Sequence, residues 1–518
     1  MRYWICFLSY QNECNILGKE TLLIMMHKEE RRNNYSHILK YTGLFGGVQG
    51  ISILVGIIRN KIVAWLLGPE GMGLISLFNS TIKLVSDSTN LGLSMSAVRE
   101  ISDAYEKDDK EKLQHAIKLI RSWSCLTALL GMFVCIVMSH WLDKWTFTWG
   151  DHTLHFILLS PVVALMALTG GETAILKGTR RLKQLAIISV YNVVLSLFVV
   201  VPLYYIWGES AIVPTLFLLA LIQMILTIGF SYRLYPLKIS FNRSQMSEGI
   251  GMVQLGISFV IAGILGSGAD FVIRSFLNNV GSLDTVGLYN AGYVMTVIYA
   301  GMVFSAMETD YFPRLSGVNG TGYLLNDTVN KQIEVSLLLI SPMLVAFLIG
   351  LPILLPLLYT GKFMPVLGMM QITVLAMYMR AIKLPISYLP LAKGDSLSYL
   401  LMESIYDIVV VALVMVCYHY WGLTGTGLAL TTASVIDFII LVVYMRFKYG
   451  YVLSTQVMKY AIIQIPIGLL AYSLTFIDRD WKYWIGGVLL TFISAIISLN
   501  ILHAKTHLWN SLKKKARK

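Results

Sequence analysis

Charged residues stand inside apolar stretches long enough to cross a bilayer, in pairs of opposite sign one helical turn apart. Lys83 and Asp87 form one such i, i+4 pair, and Asp270 and Arg274 form another. Because an ionised side chain is costly in hydrocarbon, such residues usually pair with one another or face a cavity. Two readings stay open: a neutralised pair that holds a helix in place, or a cavity cation beside a titratable carboxylate. We favour the second.

Two later apolar stretches carry further charges. Arg380 suits an anion, since a guanidinium grips phosphate oxygens bidentately, although it could equally snorkel towards the headgroups, the reading we favour for Lys383. Glu403 and Asp407 share one helix face, and two like charges in low dielectric cannot both ionise cheaply, so one should hold a proton. That would suit proton coupling.

These considerations give two sets of candidate residues. The predicted cavity cations, which would bind an anionic part of a substrate, are Lys83, Arg274 and Arg380. The predicted ion-coupling residues are Asp87, Asp270 and Asp407. Asp437 and Glu172 also stand in apolar stretches, and for both we favour a locally satisfied polar role.

The composition indicates which elements must position these charges. Of 518 residues, 56% are apolar and only 14% are charged, and the mean hydropathy is +0.67. A soluble protein carries about 25% charged residues, so a polytopic membrane protein is predicted and a soluble enzyme is excluded. A nucleic-acid binder is excluded too, because the net charge of +12 lies between apolar segments and in the C-terminal tail.

Runs of about 20 apolar residues mark transmembrane helices. They are too long and too continuous for barrel strands, so the fold is predicted to be all-α. Fourteen spans are predicted, near residues 39–60, 74–97, 119–140, 154–176, 184–206, 211–232, 251–276, 286–308, 334–358, 365–388, 398–420, 422–446, 456–476 and 483–503.

Basic residues set the predicted orientation. Lys and Arg concentrate in the even-numbered connections and the tail, whereas the odd-numbered ones hold few, among them Arg59 and Lys61 after the first span. The positive-inside rule then places both termini in the cytoplasm. Trp and Tyr cluster at the predicted outer ends, as aromatic belts do.

A weak internal repeat relates the first and seventh spans. Val48-Gln49-Gly50-Ile51-Ser52 matches Val253-Gln254-Leu255-Gly256-Ile257-Ser258, with an offset of 206 at Ser52, and Gly73 matches Gly287 at an offset of 214. We place the eight extra residues in a polar connection, Asn278–Thr285. Six spans separate the copies, so the repeat is parallel, with its axis along the membrane normal.

The repeat predicts two six-helix lobes around a central cavity, followed by two C-terminal helices. The predicted boundaries are 37–243 for the N-lobe, 244–450 for the C-lobe, 451–506 for the last two spans and 507–518 for a basic cytoplasmic tail. Residues 1–36 form a cytoplasmic extension. Its first 25 residues resemble neither a signal peptide nor a span, and Met25 or Met26 would be a more natural start.

Several motifs resemble bacterial Wzx-type O-antigen flippases. They are Gly43–Gln49, Ile57–Lys61, Leu91–Leu93, Met307–Ser316 and above all Leu66-Leu67-Gly68-Pro69-Glu70-Gly71-Met72-Gly73-Leu74, which is fairly specific to polysaccharide exporters. The resemblance covers about residues 35–510. It implies two six-helix bundles with a cationic central cavity, in a superfamily that includes peptidoglycan-precursor flippases and multidrug extruders. The resemblance does not assign a role to any individual residue of this chain.

The resemblance also implies a substrate and a location. Such proteins move an undecaprenyl-diphosphate-linked oligosaccharide, such as an O-antigen unit for lipopolysaccharide, from the inner to the outer leaflet of the bacterial plasma membrane. The expected partners are that lipid-linked glycan, membrane lipids and the polysaccharide polymerase and chain-length machinery. The sequence has no nucleotide-hydrolysis loop and no His-Glu-x-x-His motif, so we expect a transporter without cofactor or metal rather than an enzyme, driven passively or by an ion gradient.

Three alternatives remain open at this stage. A multidrug extruder would share the fold but prefer an acidic cavity for cationic drugs. A polysaccharide polymerase or ligase would need a sizeable outer loop with catalytic groups, and the predicted outer connections are short. A non-transporting scaffold would leave the intramembrane charges unexplained.

Overall fold

The computed structural model describes residues 54–239, 243–299 and 322–506, with 301, 304, 311–312 and 314–318 between them. Within this part the regular structure is helical throughout, because a chain in lipid must satisfy its backbone polar groups internally. The helices are α1 (Leu54–Thr89), α2 (Leu93–Glu106), α3 (Lys110–Thr146), α4 (Thr153–Gly178), α5 (Leu182–Trp207), α6 (Ile212–Leu234), α7 (Arg243–Val280), α8 (Leu283–Tyr293), α9 (Tyr323–Leu358), α10 (Leu367–Ala392), α11 (Ser396–Tyr449), α12 (Thr455–Leu474) and α13 (Trp481–Thr506).

Ten helical stretches of the described chain are long and apolar enough to cross a membrane. Three of them hold two spans each, because a glycine with positive φ breaks the helix: Gly68 in α1, Gly208 between α5 and α6, and Gly422 in α11. Glycine adopts this conformation without the strain that a Cβ would bring. The described residues thus account for thirteen spans, and α8 begins the remaining one, whose later residues lie partly outside them. The all-α polytopic prediction is confirmed.

The predicted ends of the first two spans were wrong. The chain turns at Gly68 (φ 67°), so Arg59 and Lys61 lie within the first span rather than in the connection after it. The second span ends at Thr89, and a separate helix, α2, follows a break at Leu91 and Gly92. Hydropathy averaged over the length of a span missed both points, although Pro69-Glu70 follow the turn and Ser88-Thr89-Asn90 precede the break. The first part of the predicted 39–60 span lies outside the described residues.

The predicted position of the eight-residue insertion was also wrong. Helix α7 continues to Val280, and only Gly281 and Ser282 separate it from α8. Ser282 caps α8 by accepting a hydrogen bond from the Thr285 amide. The extra residues therefore form two further helical turns of α7 rather than a loop, because polar Asn278 and Asn279 find partners on a neighbouring helix. The Val48–Ser52 copy of the repeat lies outside the described residues.

Helix packing divides the described chain into two halves. Helices α2 to α6 pack mainly among themselves, and so do α8 to α13, in which α9 contacts α10, α12 and α13. Helix α7 packs against α11 in the second half and against α2 and α3 in the first. We call the end of the bundle that holds Gly68, Gly208 and Gly422 the outer end, following the predicted topology, and the opposite end the inner end.

A polar cluster at the inner end fixes the start of α11. Asp395 accepts hydrogen bonds from the Ser398 amide (3.1 Å) and the Tyr449 hydroxyl (2.7 Å), and it forms an ion pair with Lys448 (2.6 Å). Burial opposes ionisation of Asp395, but the Lys448 ammonium and these hydrogen bonds outweigh it and hold the pKa of the carboxyl well below its usual range. The cluster joins the two ends of α11.

We expect Asp395→Ala to lower the free energy of unfolding by about 1 kcal/mol through loss of the cap. The pKa of Asp395 is depressed in the folded protein. Its ionised carboxylate therefore stabilises the fold at every pH above the ordinary Asp pKa of about 3.9, and this stabilisation is lost only as pH falls through the depressed pKa. The difference in thermal midpoint between variant and wild type should therefore be equal at pH 5 and pH 8. Asp327→Ala is the control, since it removes only an exposed i, i+4 pair with Lys331. A difference that disappears at pH 5 would contradict this assignment.

Candidate functional site

The two halves meet at the outer end through a reciprocal glycine contact. A Cβ on Gly73 would overlap the Leu283 carbonyl oxygen and lie 3.1 Å from the Gly287 nitrogen. A Cβ on Gly287 would overlap the Pro69 carbonyl oxygen and lie 3.0 Å from the Gly73 nitrogen. Gly287 follows Gly73 by 214 residues, and Leu283 follows Pro69 by the same number. Each half therefore presents an equivalent surface to the other, as in a twofold interface. The contact supports the repeat and its axis.

Single hydrogen bonds surround this glycine contact. The Arg274 side chain donates through Nε to Ser76 Oγ (2.9 Å), and Asn278 Nδ2 donates to the Thr146 carbonyl (2.8 Å). Lys61 Nζ donates to the Pro356 carbonyl near the end of α9 (2.7 Å), where a helix carries partial negative charge. Every one of these bonds joins the two halves near their outer ends. In this conformation the outer end is closed.

Below the closed end lies a cavity of about 380 Å³ between the two halves. Its polar lining residues come from α1 and α5 on one side and from α8 and the end of α9 on the other: Arg59, Asn60, Asn79, Tyr204, Asn290 and Tyr359. Amide and phenol groups of this kind can bind sugar hydroxyls. Arg59 is the one charged residue among its lining residues in the described chain.

A second cavity, of about 360 Å³, adjoins the first along α4 and α6. Met166 and Ala220 line both cavities. Thr169, Thr173 and Gln223 give it polar groups, and Lys177 near the inner end of α4 is its one charged lining residue in the described chain. The two cavities thus form a groove from the inner end of the first half to Arg59; its lining is mainly apolar, and its charged residues in the described chain are the cations Lys177 and Arg59, with no carboxylate.

Arg59 is the functional candidate that sequence reasoning missed. It stands nine residues before Gly68, about 13 Å below the outer turn at 1.5 Å per residue. Its Nη1 donates a long hydrogen bond to Ser196 Oγ (3.3 Å), and no carboxylate of the described residues lies within ion-pair distance. The sequence does contain a signal for this position. If the turn is placed at Gly68-Pro69, the mainly apolar run from Ile51 to Leu67 puts Arg59 inside the span.

Lys83 lies one turn from Asn79 on the same face of α1, and its side chain is exposed. Because Asn79 lines the inter-half cavity, Lys83 lies on the continuation of that wall towards the inner end. Asp87 follows on the same face, within electrostatic range of Lys83 and near Ser267 of α7. Asp87 lies near the inner end of the span, which ends two residues later at Thr89.

Arg274 and Asp270 form the predicted i, i+4 pair, with Nη1 and Oδ1 2.9 Å apart. Arg274 is buried, and it lines neither of the two cavities above; Tyr289 and Tyr293 flank its guanidinium. Asp407 faces the same helix, 3.7 Å from where a Cβ on Gly266 would lie, and is within electrostatic range of Asp270. The structure therefore brings Asp270 and Asp407 to the α7–α11 contact, whereas Arg274 reaches Ser76 of α1 and the two tyrosines of α8.

A third cavity, of about 240 Å³, lies inside the second half between α8, α10 and the two parts of α11. Its charged lining residues in the described chain are Arg380, Lys383, Glu403 and Asp437. Arg380 Nη1 donates to the Val297 carbonyl (3.2 Å), so it faces a cavity rather than the headgroups. Lys383 pairs with Asp437, which means that our prediction of snorkelling for Lys383 was wrong. In the described residues no group of three His, Cys, Asp or Glu is arranged to hold a metal ion.

Glu172 has a structural role, as the sequence suggested. It is buried, accepts from Arg121 Nε (2.7 Å) and Nη2 (3.2 Å), and also accepts from Ser231 Oγ (2.5 Å). The remaining Arg121 donors bind the carbonyls of Tyr235 and Pro236, at the start of the segment that joins the two halves. With four hydrogen bonds to Glu172 and these carbonyls, Arg121 holds the segments of the first half together.

This architecture is similar to that of solved membrane transporters, some of them described as members of the MOP superfamily. A lipid II flippase MurJ in an inward closed conformation superposes with a TM-score of 0.64 at 14% identity, over 89% of this chain and 99% of that chain. An inward-facing multidrug resistance MATE family transporter gives a TM-score of 0.60 at 15% identity, over 77% and 94%. A MOP superfamily transporter from Pyrococcus furiosus, described by a reverse polarity of its binding pocket, superposes with a TM-score of 0.52 at 14% identity. The match covers 79% of this chain and 94% of that chain. At these identities the likeness establishes the fold.

The family follows from the sequence itself. Residues 38–318, more than half of the chain, match the family model described as polysaccharide biosynthesis protein. The chain belongs to that family, and the resemblance to polysaccharide exporters is confirmed. The comparison with curated proteins found no match.

The glycine contact generates a test of the outer closure. We expect Gly287→Ala to force the halves apart at the outer end, because the new methyl group would overlap the Pro69 carbonyl. With the native cysteines replaced, Asn79→Cys in the cavity wall should then react several-fold faster with a membrane-impermeant thiol reagent added from the outer side.

Gly263→Ala in α7 is the matched control, since no atom lies within 4 Å of the Cβ it would add. It should leave the labelling rate unchanged. Equal rates in the Gly287→Ala and Gly263→Ala proteins would contradict the assignment of the glycine contact as the outer closure.

Proposed function

We propose that this protein is a flippase that moves an undecaprenyl-diphosphate-linked oligosaccharide from the inner to the outer leaflet of the bacterial plasma membrane by alternating access. Both termini would lie in the cytoplasm, and transport would be coupled to an ion gradient. The observation that carries the proposal is the charge of the groove that the first two cavities form, whose described lining residues include the cations Arg59 and Lys177 and no carboxylate.

The geometry suits a substrate with three chemically different parts. The lipid tail can stay in the bilayer while the headgroup crosses between the halves. Arg59 and Lys83 would bind the diphosphate, since an unpaired cation facing a cavity gains most from an anionic ligand. Asn79, Asn290 and Gln223 offer amides to sugar hydroxyls. Arg274 would act between the halves, and Arg380 from within the second half.

The charge of the cavities argues against the nearest rival. A carrier for cationic drugs needs carboxylates or bare aromatic faces in its central cavity, and a guanidinium there would repel the drug. Of the acidic candidates, Asp270, Asp407 and Glu403 lie at the α7–α11 contact and in the second half, and Asp87 lies one turn beyond Lys83 and does not line the cavity itself. An anionic headgroup is the better electrostatic match. The polymerase and chain-length machinery would receive the product at the outer leaflet.

Deletion of the gene gives the most direct test. We expect a whole lipid-linked repeat unit to accumulate on the inner leaflet, and wild-type protein to restore its export. Arg59→Gln should reduce export about tenfold or more, because a hydrogen bond to a charged group contributes about 1.5–3 kcal/mol. Export is measured as surface glycan per molecule of membrane-inserted protein.

Arg99→Gln is the matched control, because Arg99 is exposed on α2 and lines neither cavity. It should restore export fully. Normal surface glycan in the deletion strain, together with lost drug resistance, would overturn the proposal in favour of an extruder.

Ion coupling is tested in reconstituted vesicles. Outward transfer of the lipid-linked glycan should slow several-fold when a protonophore collapses the pH gradient, since Asp87, Asp270 and Asp407 are the proposed coupling residues. Asp407→Asn should make transfer slow and insensitive to the protonophore. Transfer that runs unchanged without the gradient would refute coupling while leaving the flippase assignment intact.

A further inference from the structure

Lys383 holds an unusual position in the cavity of the second half. Its ammonium forms an ion pair with Asp437 from the second part of α11. The same nitrogen lies 4.2 Å from the ring centre of Tyr406, from the first part of α11, within the range of a cation–π contact. A tethered cation is therefore held between an anion and an aromatic face, inside the membrane-spanning part of the protein.

A second carboxylate faces the same ammonium. Glu403 lines the cavity beside Lys383 and interacts with it electrostatically. In the described chain Glu403 has no ion-pair partner within 4 Å. The other charged or titratable groups around the cavity are Arg380 on the same helix as Lys383, Tyr293 of α8, and Asp407 one turn from Glu403. Two carboxylates thus compete for one ammonium.

This arrangement leaves few free oxygen ligands for a metal cation. A hard cation such as Na⁺ or Ca²⁺ needs several oxygen ligands at once. Here Asp437 is already neutralised by Lys383, whose nitrogen occupies the space between the carboxylate and the ring. Ser434 and Glu403 could complete such a ligand set only if the ammonium were removed.

We propose that this cavity exchanges protons and excludes metal cations, because Lys383 is a built-in cation that Asp437 and Glu403 share. In the exchange, a proton binds a carboxylate oxygen of Asp437, and the Lys383 ammonium keeps its own protons and moves to the Glu403 carboxylate. One O–H bond forms, one positive charge enters, and release reverses both. The inference deepens the proposed function and rests on it for the link to transport.

Helix α8 offers a route from this cavity to the substrate. Tyr293 and Val297 line the cavity of the second half, whereas Asn290 and Val294 line the cavity between the halves. From Val294 to Tyr299 the chain is a π-helix, a form common at functional sites. The Val297 carbonyl in this turn accepts the hydrogen bond from Arg380. A shift of charge beside Arg380 would therefore act on a wall that both cavities share.

The test measures binding of ²²Na⁺ to purified protein in lipid nanodiscs at pH 8, without any glycan. Wild type should bind no more than an empty nanodisc. Lys383→Met should bind at least threefold more, because the freed Asp437, Glu403 and Ser434 oxygens can accept the ion. Lys383→Arg should not bind, since it keeps a tethered cation, and Asp437→Asn combined with Lys383→Met should lose the gained binding.

Lys393→Met is the matched control, because Lys393 lies beyond the end of α10 and donates to the Val318 carbonyl outside the cavity. Specific ²²Na⁺ binding by wild type would overturn the proposal. Absence of ²²Na⁺ binding by a Lys383→Met protein that elutes as a single species would also overturn it. If that variant does not fold, Lys383→Gln takes its place with the same expectation. Since no glycan is used, failure of this site and failure of the flippase assignment give separate results.

Discussion

A charge in hydrocarbon is tolerated only when it is paired or faces water, and this constraint organises the membrane part of the protein. Arg121 satisfies it with Glu172, Arg274 with Asp270, and Lys383 with Asp437. Arg59 has no such partner among the described residues and faces the cavity between the halves. Arg380 in turn donates to a carbonyl rather than to a carboxylate, so both arginines mark places where an anionic ligand can contribute.

The contact between the halves obeys a second constraint, that of close backbone approach. Two helices can meet at their outer ends with carbonyl oxygen against Cα only when both contact residues are glycines. Gly73 and Gly287 satisfy this, and because they are repeat equivalents, one structural solution serves both halves. Hydrophobic packing alone would not specify the register so narrowly.

Much of the fold could be predicted because hydropathy reports directly on membrane-spanning helices. The predicted ends of the first two spans were wrong, because hydropathy averaged over a whole span does not resolve breaks at Gly68 and Leu91–Gly92, although Pro69-Glu70 and Ser88-Thr89-Asn90 stand beside them. The candidate site was predicted only in part. The pairing of Arg274 with Asp270 was visible as an i, i+4 spacing, but the partner of Lys383 is 54 residues away in sequence, and only tertiary packing brings Asp437 to it.

The distribution of interaction strength also fits a molecule whose halves move as units. The ion pairs in the membrane part of the described chain join helices of the same half or residues of one helix, as Arg121 with Glu172 and Lys383 with Asp437 show. Between the halves stand glycine contacts and single hydrogen bonds such as Asn278 to Thr146. Separating these exposes no unpaired carboxylate, because Arg274 keeps Asp270 when it leaves Ser76. The outer end can therefore open at a lower free-energy cost than either half could unfold, which is what alternating access requires.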